Sequence, residues 1–184
     1  MRPYLGNQVL EIGAGIGNMT VNLIPRTEYW ATEVNPLYLA DLRKLIQTRP
    51  YLRVAFTDVN KPDSFPTKKQ FDTVVCINGL EHVENDVAAL RNIRCILEEG
   101  GRAIIVVPQG PSLYGSLDRE LGRYRRYTKE QLIDIGEQAG FRVKEVLNFN
   151  RASVPAWWLN GQVLKRTTFD LWQIKNAEPS AATV

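Results

Sequence analysis

Short apolar runs alternate along this chain with segments whose apolar residues recur at helical spacing. Residues 9–12, 28–33, 52–57, 71–77 and 103–107 have strand length and are rich in branched and aromatic side chains. Runs 71–77 and 103–107 are almost continuously apolar, as in strands covered on both faces. Residues 141–149 alternate in polarity and predict a sixth strand. The intervening segments read as helices. Residues 17–24 predict a short one stopped near Pro25. Asn35-Pro36 supplies a capping amide and a proline at the first helical position, ahead of a stripe of Leu37, Leu39, Leu42, Leu45 and Ile46. Asn85 predicts the cap of a helix through Leu97, ended by Gly100-Gly101. Thr128 and Gln131 have capping-box spacing, for a helix to about Ala139 with Gly140 as its stop. Strands alternating with helices imply right-handed crossovers and an α/β three-layer sandwich around a mostly parallel sheet. The proline- and lysine-rich stretch 61–69 reads as a surface loop.

Composition narrows this picture only slightly. At 184 residues the chain is long enough for one self-sufficient core. Its 44% apolar and 23% charged content is that of an ordinary globular protein, and a net charge of +3 does not indicate nucleic-acid binding. Cys76 and Cys95 sit far apart in apolar patterns without metal-ligand spacing, so both are expected as reduced core cysteines. No apolar run has the length of a membrane span and no signal peptide is visible, which predicts a cytoplasmic protein. The main domain is expected over 1–150. A C-terminal extension over 151–184 would pack on it, with a disordered tail from Ala177. The chain begins almost at its first strand, so an upstream segment of a longer protein is an open question.

The stretch Glu11-Ile12-Gly13-Ala14-Gly15-Ile16-Gly17-Asn18 joins the first strand to the first helix. Its three alternate glycines allow a backbone path closed to other residues and let a ligand lie against the main chain, facing free N–H groups at the helix start. A dinucleotide fold wants G-x-G-x-x-G, but the third position of that pattern is Asn18 and the glycine comes early, at Gly17. The alternate spacing, with Glu11 ahead of it, resembles motif I of the class I S-adenosylmethionine-dependent methyltransferases. The resemblance implies a sheet of order 3-2-1-4-5 extended by the sixth strand, and a seventh strand that is weak or missing here, residues 168–175 being its only candidate. It also implies S-adenosylmethionine as cofactor.

Carried onto this sequence, the resemblance assigns the cofactor site to the ends of successive strands, where open parallel sheets bind ligands. Glu11, Gly13, Ala14, Gly15, Gly17 and Asn18 form the loop past the methionine end. Glu33, closing the second strand, accepts from the ribose hydroxyls, with Val34 beside it. Asp58 accepts from the adenine amino group, and Val59 offers an apolar face to the ring. Asn78, Gly79 and Leu80 follow the fourth strand and border the cofactor, in a segment similar to that of small-molecule methyltransferases. The Asp/Asn-Pro-Pro-aromatic motif of enzymes that methylate DNA bases is absent there.

The acceptor side rests on fewer residues. His82 is the sole histidine and the natural candidate base, unless it caps the helix and positions the loop. Glu81-His82 also resembles a segment of the quinone-biosynthesis O-methyltransferases, where an acid and a histidine are linked to a metal. No third ligand is visible here, and no metal is predicted. Arg125, Arg126 and Tyr127, in a loop leading to the capped helix, predict a wall of the acceptor pocket and a small-molecule acceptor carrying an acidic or phosphate group. Trp157-Trp158 would cover that pocket, touch a membrane surface or pack in the core. The alternatives of other classes are a non-catalytic cofactor-binding or interaction domain and a nicotinamide-dependent oxidoreductase. Oligomeric state is not legible.

Overall fold

A computed structural model describes residues 2–66 and 70–148. Five strands form one sheet of order β3-β2-β1-β4-β5, with every neighbouring pair parallel. They are β1 (Gln8–Ile12), β2 (Glu28–Glu33), β3 (Leu52–Phe56), β4 (Phe71–Ile77) and β5 (Leu97–Val106). The helices are α1 (Thr20–Leu23), α2 (Pro36–Lys44), α3 (Asp86–Cys95), α4 (Ser116–Glu120) and α5 (Lys129–Gln138).

The two-residue period of a strand sorts its side chains into two cores. From β1 and β4, Leu10, Ile12, Val74 and Cys76 point to one face and pack with Ala89, Leu90 and Ile93 of α3. Val9 and Val75 point to the other, with Tyr29, Ala31, Leu23 and Leu42. The reversal of strand order at β1 leaves β1 and β4 side by side in the sheet's interior, registered Glu11 to Val75. Their C-terminal ends open the crevice described below.

Capping follows the sequence closely. The Asn35 side chain accepts from Leu37 N at 2.9 Å, and that of Asn85 from Ala88 N at 3.0 Å. Thr128 and Gln131 exchange two hydrogen bonds, Gln131 N to Thr128 Oγ1 at 3.1 Å and Thr128 N to Gln131 Oε1 at 2.9 Å.

Several expectations are corrected. Helix α3 ends at Cys95, because Leu97 already pairs with Phe71 in the sheet. Gly100-Gly101 therefore lies within β5 and serves an irregularity between the pairs Phe71–Leu97 and Thr73–Arg102. Gly100 has φ +77°, and a Cβ on Gly101 would stand 2.9 Å from the Glu98 carbonyl oxygen. The polar run Glu98–Gly101 hid this half of the strand. Helix α1 is a single turn, and Leu37 turns outward, 76% exposed, while Leu39 and Leu42 carry the buried face of α2. Residues 103–106 of β5 are half-buried rather than buried. Cys76 is buried and Cys95 exposed, so only the first is a core cysteine. Burial pushes the Cys76 thiol up to about 12, with nearby Glu81 adding to the rise. Residues 141–148 have no ladder bonds and form no strand. The partner expected for them, 168–175, lies outside the described residues, as do the extension 151–184 and Trp157-Trp158. Helix α4 had no counterpart in the sequence reading.

Candidate active site

The glycine loop is built mostly from backbone. Gly13 N and Ala14 N both donate to the Thr32 carbonyl, at 3.0 and 2.9 Å, and Gly17 N donates to Ala14 O at 3.0 Å. Gly15 N donates to Glu33 Oε2 at 2.8 Å. These four N–H groups are thus bonded inside the protein. What the loop offers is space. Gly13 and Gly15 have φ of +73° and +58°, and nothing lies within 4 Å of a Cβ placed on either. Gly17 differs: a Cβ there would meet Leu45 and Leu42 of the core, so it serves packing. Asn18 is exposed, its carbonyl accepting from Asn22.

Glu33 joins the ends of β1 and β2. Besides Gly15 N, its carboxylate accepts from Val34 N at 2.8 Å and Asn35 N at 2.9 Å, and the residue is buried. A carboxylate has about four lone-pair sites, so one remains for a hydroxyl. Val34 is exposed beside it. Glu11 points into the protein, where its Oε2 accepts from the Thr20 hydroxyl at 2.6 Å and the Tyr29 hydroxyl at 2.9 Å. Burial raises its pKa above the usual carboxylate value, the two hydroxyl bonds oppose that, and Glu33 adds to it. The structure therefore brings Glu11 to α1 and β2, beneath the loop, not to the open face of Gly13 and Gly15. No signal in the strand pattern foretold the part of Tyr29.

Asp58 stands after β3, its Oδ1 accepting from Asn60 N and Nδ2 at 3.0 and 3.1 Å, with Lys61 Nζ 3.4 Å from Oδ2. Burial alone would raise its pKa, but the Asn60 bonds and the Lys61 charge outweigh it and hold the carboxyl below its usual value. Val59 is half-buried against the α3 core, and its carbonyl accepts from Asn92. After β4, Asn78 takes φ +51°, a left-handed conformation uncommon outside glycine and concentrated at functional sites. Gly79 lies against Cys76, whose Sγ would be 2.8 Å from an added Cβ, and Leu80 is buried.

The loop after β5 is clamped onto the segment after β4 by charged side chains. Tyr124 N donates to the Glu81 carbonyl at 2.9 Å, and His82 Nδ1 lies 3.2 Å from the Gly122 carbonyl. Arg125 donates to Asp86 Oδ2 at 2.9 Å and to the Glu84 carbonyl at 2.6 Å. Tyr127, buried, donates to Asp86 at 3.1 Å. Arg126 is buried against Asp118, with Nε 3.0 Å from each carboxylate oxygen. Of the three residues expected as an acceptor wall, Arg126 and Tyr127 lie inside the protein and Arg125 is paired. Their partner Asp86 escaped the sequence reading, and so did the pairing of Asp118 with Arg123 and Arg126. Only proximity in the fold joins them, although Asp118 and Arg123 could have been noted as oppositely charged neighbours.

His82 is exposed at the mouth of a cleft of about 670 Å³ lined by Asn60, Glu84, Asn85, Asp86 and Tyr124. Burial of part of the ring pulls its pKa below the ordinary histidine value, the Gly122 hydrogen bond opposes this and the Arg123 charge assists it. A carbonyl only accepts, so in the neutral ring this contact favours the proton on Nδ1 and the lone pair on Nε2. Among the described residues no cluster of three or more histidines, cysteines or acids could hold a metal ion.

A parallel sheet reversing at β1, an open glycine loop and an acid at the end of β2 define a class I methyltransferase, the class that uses S-adenosylmethionine. A family model described as "Methyltransferase domain" matches residues 10–103, and the chain belongs to that family. It is 32% identical over 105 residues to the reducing polyketide synthase Preu2 of Preussia isomera, covering 53% of this chain and 4% of that one. It is 24% identical over 159 residues to a ubiquinone biosynthesis O-methyltransferase of Aeromonas salmonicida, covering 77% of this chain and 65% of that one. Among solved structures it is similar to the CurJ carbon methyltransferase, with TM-score 0.64 and 22% identity over 83% of this chain and 47% of that chain. The chain spans only 4 to 5% of the polyketide synthases it matches. No helix among the described residues is long and apolar enough to cross a membrane.

Proposed function

We propose that this domain methylates a small molecule at an activated carbon or a hydroxyl, with the Nε2 of His82 taking the proton that the acceptor must lose. The observation that carries the reading is the His82 ring at the cleft mouth, its Nδ1 engaged by a carbonyl. S-adenosylmethionine, when bound, would supply the methyl group on a sulfonium whose sulfur departs as a neutral thioether without further activation. The open faces of Gly13 and Gly15 fit such a ligand, with the remaining lone pair of Glu33 holding a ribose hydroxyl and Val34, Asp58 and Val59 the adenine. Asn78, Gly79 and Leu80 border it on the acceptor side. The chain's own work is to bind and align the two substrates, exclude water and hold one proton acceptor in reach.

Polyketide synthases and a carbon methyltransferase among the similar proteins support a carbon acceptor, and the ubiquinone enzyme supports an oxygen. An acidic or phosphate-bearing acceptor would have to be met by guanidiniums already paired with Asp86 and Asp118. The cleft lining of Asn60, Asn85, Tyr124 and Glu84 favours an uncharged, hydrogen-bonding one.

S-adenosylhomocysteine is expected to raise the melting temperature, since a ligand specific for the folded state stabilises it by mass action, whereas nicotinamide dinucleotides are not. In a screen of 1,3-dicarbonyl and phenolic acceptors, His82→Gln is expected to lower turnover by about 10²–10⁴-fold with cofactor affinity unchanged. Because His82 must be neutral and its folded pKa is lowered, the acid limb of the wild-type rate profile should fall below pH 6.5. The same shift makes the stability it contributes decline as pH drops through 6.5 toward the folded value. Cofactor binding without turnover on any acceptor would support the non-catalytic reading instead.

A further inference from the structure

Arg123 is held through both its backbone and its guanidinium. Its backbone N–H donates to the Asp118 carbonyl at 2.9 Å, and its own carbonyl accepts from the Tyr114 hydroxyl at 2.7 Å. Its guanidinium spans two carboxylates that are wholly buried: Nη1 is 3.2 Å from Asp118 Oδ1 and Nε is 3.5 Å from Glu81 Oε1. Glu81 needs this cation. No hydrogen bond of good geometry reaches either of its oxygens, and an uncompensated buried carboxylate is costly. Asp118, by contrast, also has Arg126 and the N–H of Gly115, at 3.1 Å.

The residues on either side of Arg123 make the contacts to the segment that bears His82. Tyr124 N is bonded to the Glu81 carbonyl, and the Gly122 carbonyl faces His82 Nδ1. Gly122 N is itself tied to the Arg119 carbonyl at 3.0 Å. The Gly122 carbonyl thus sits between a backbone bond on one side and a buried charge bridge on the other.

We propose that Arg123 is the positioning residue of this site. By bridging Glu81 and Asp118 it holds the Gly122 carbonyl against His82, locks the imidazole with its proton on Nδ1, and presents Nε2 to the cleft. The proposal rests on the reading of His82 as the base, since only then does the tautomer matter for turnover. In the other tautomer the Nδ1 lone pair would oppose the carbonyl oxygen, so the arrangement selects one form. Arg123 touches no reacting atom and acts wholly through Gly122.

Because His82 is the sole histidine, its ring nitrogens can be read directly in the full chain labelled with ¹⁵N-histidine. Long-range ¹H–¹⁵N spectra above the histidine pKa should show Nδ1 as the protonated nitrogen and Nε2 as the bare one. In Arg123→Gln the signals should move toward comparable populations of the two tautomers. Since that variant leaves Glu81 buried without its cation, Glu81→Gln/Arg123→Gln, which removes both charges, provides a second reading with the same expected mixture. Arg123→Lys keeps the charge but not the two-armed bridge and should give an intermediate population. A wild-type ring protonated on Nε2, or an Nδ1 tautomer retained in every folded variant, would overturn the proposal. Full turnover in His82→Gln would instead remove the base and leave the tautomer result standing, so the two failures are distinct.

Discussion

The donor and acceptor sides of the crevice are built in different ways. On the donor side the shape comes from main chain: three glycines with left-handed φ, two N–H groups on one Thr32 carbonyl, and one acid, Glu33, that accepts three further N–H bonds. On the acceptor side it comes from side chains: Glu81, Asp86 and Asp118 face Arg123, Arg125 and Arg126 across two loops. A site made of backbone presents the same surface whatever the chain's acceptor. A site made of paired side chains is tied to loop sequences that vary freely, and its shape depends on every charge finding its partner. Donor-side damage should therefore appear in ligand binding, and acceptor-side damage in stability.

The sharpest break of that contrast is Gly15→Val. It should abolish measurable S-adenosylhomocysteine binding by calorimetry, because the branched side chain enters the space in front of the loop. Holding it at φ +58° should cost about 1–2 kcal/mol of stability. Unchanged affinity would mean that the open face of Gly15 is not the ligand's.

Arg126→Ala should do the reverse. Removing one partner of a buried pair costs about 3–5 kcal/mol, and the lower end applies because Arg123 remains 3.2 Å from Asp118. Urea unfolding should show the loss, while the folded fraction binds cofactor with wild-type affinity. A shift below 1 kcal/mol would put Arg126 among dispensable surface charges.

Glu33→Ala tests the one place where a side chain carries the donor side. It should weaken cofactor binding by about 1.5–3 kcal/mol, the scale of a hydrogen bond to a charged group. If calorimetry finds the affinity intact, Glu33 only ties the loop to β2. The smallest effect belongs to neither half: Thr128→Ala removes the α5 cap, a loss of about 1 kcal/mol in unfolding experiments, with ligand binding untouched.

Much of the donor side was legible because local chain chemistry dictates it. The glycine spacing forces the loop, the acid that closes β2 stands next to it in a parallel sheet of this order, and the acid after β3 lies at the same C-terminal edge of the sheet. The caps at Asn35, Asn85 and Thr128 were legible for the same reason: a cap bonds residues two or three positions away. The surroundings of Glu11 were not legible, because the pattern gives its strand but not the hydroxyls of Thr20 and Tyr29 that its carboxylate accepts from.

The sequence by itself determined the strand segments, the helix caps at Asn35, Asn85 and Thr128 and the glycine loop, all of which arise from short-range backbone preferences and from periodicity, while the strand order came with the family resemblance. Only the tertiary structure decided what the arginines do. Asp86 and Arg125, or Glu81 and Arg123, are distant in the chain and meet only when the loops after β4 and β5 fold against each other. The same meeting sets the surroundings of His82. Whether its ring serves as a cap or offers Nε2 to a cleft depends on the carbonyl of Gly122, a contact that no local rule of the sequence contains.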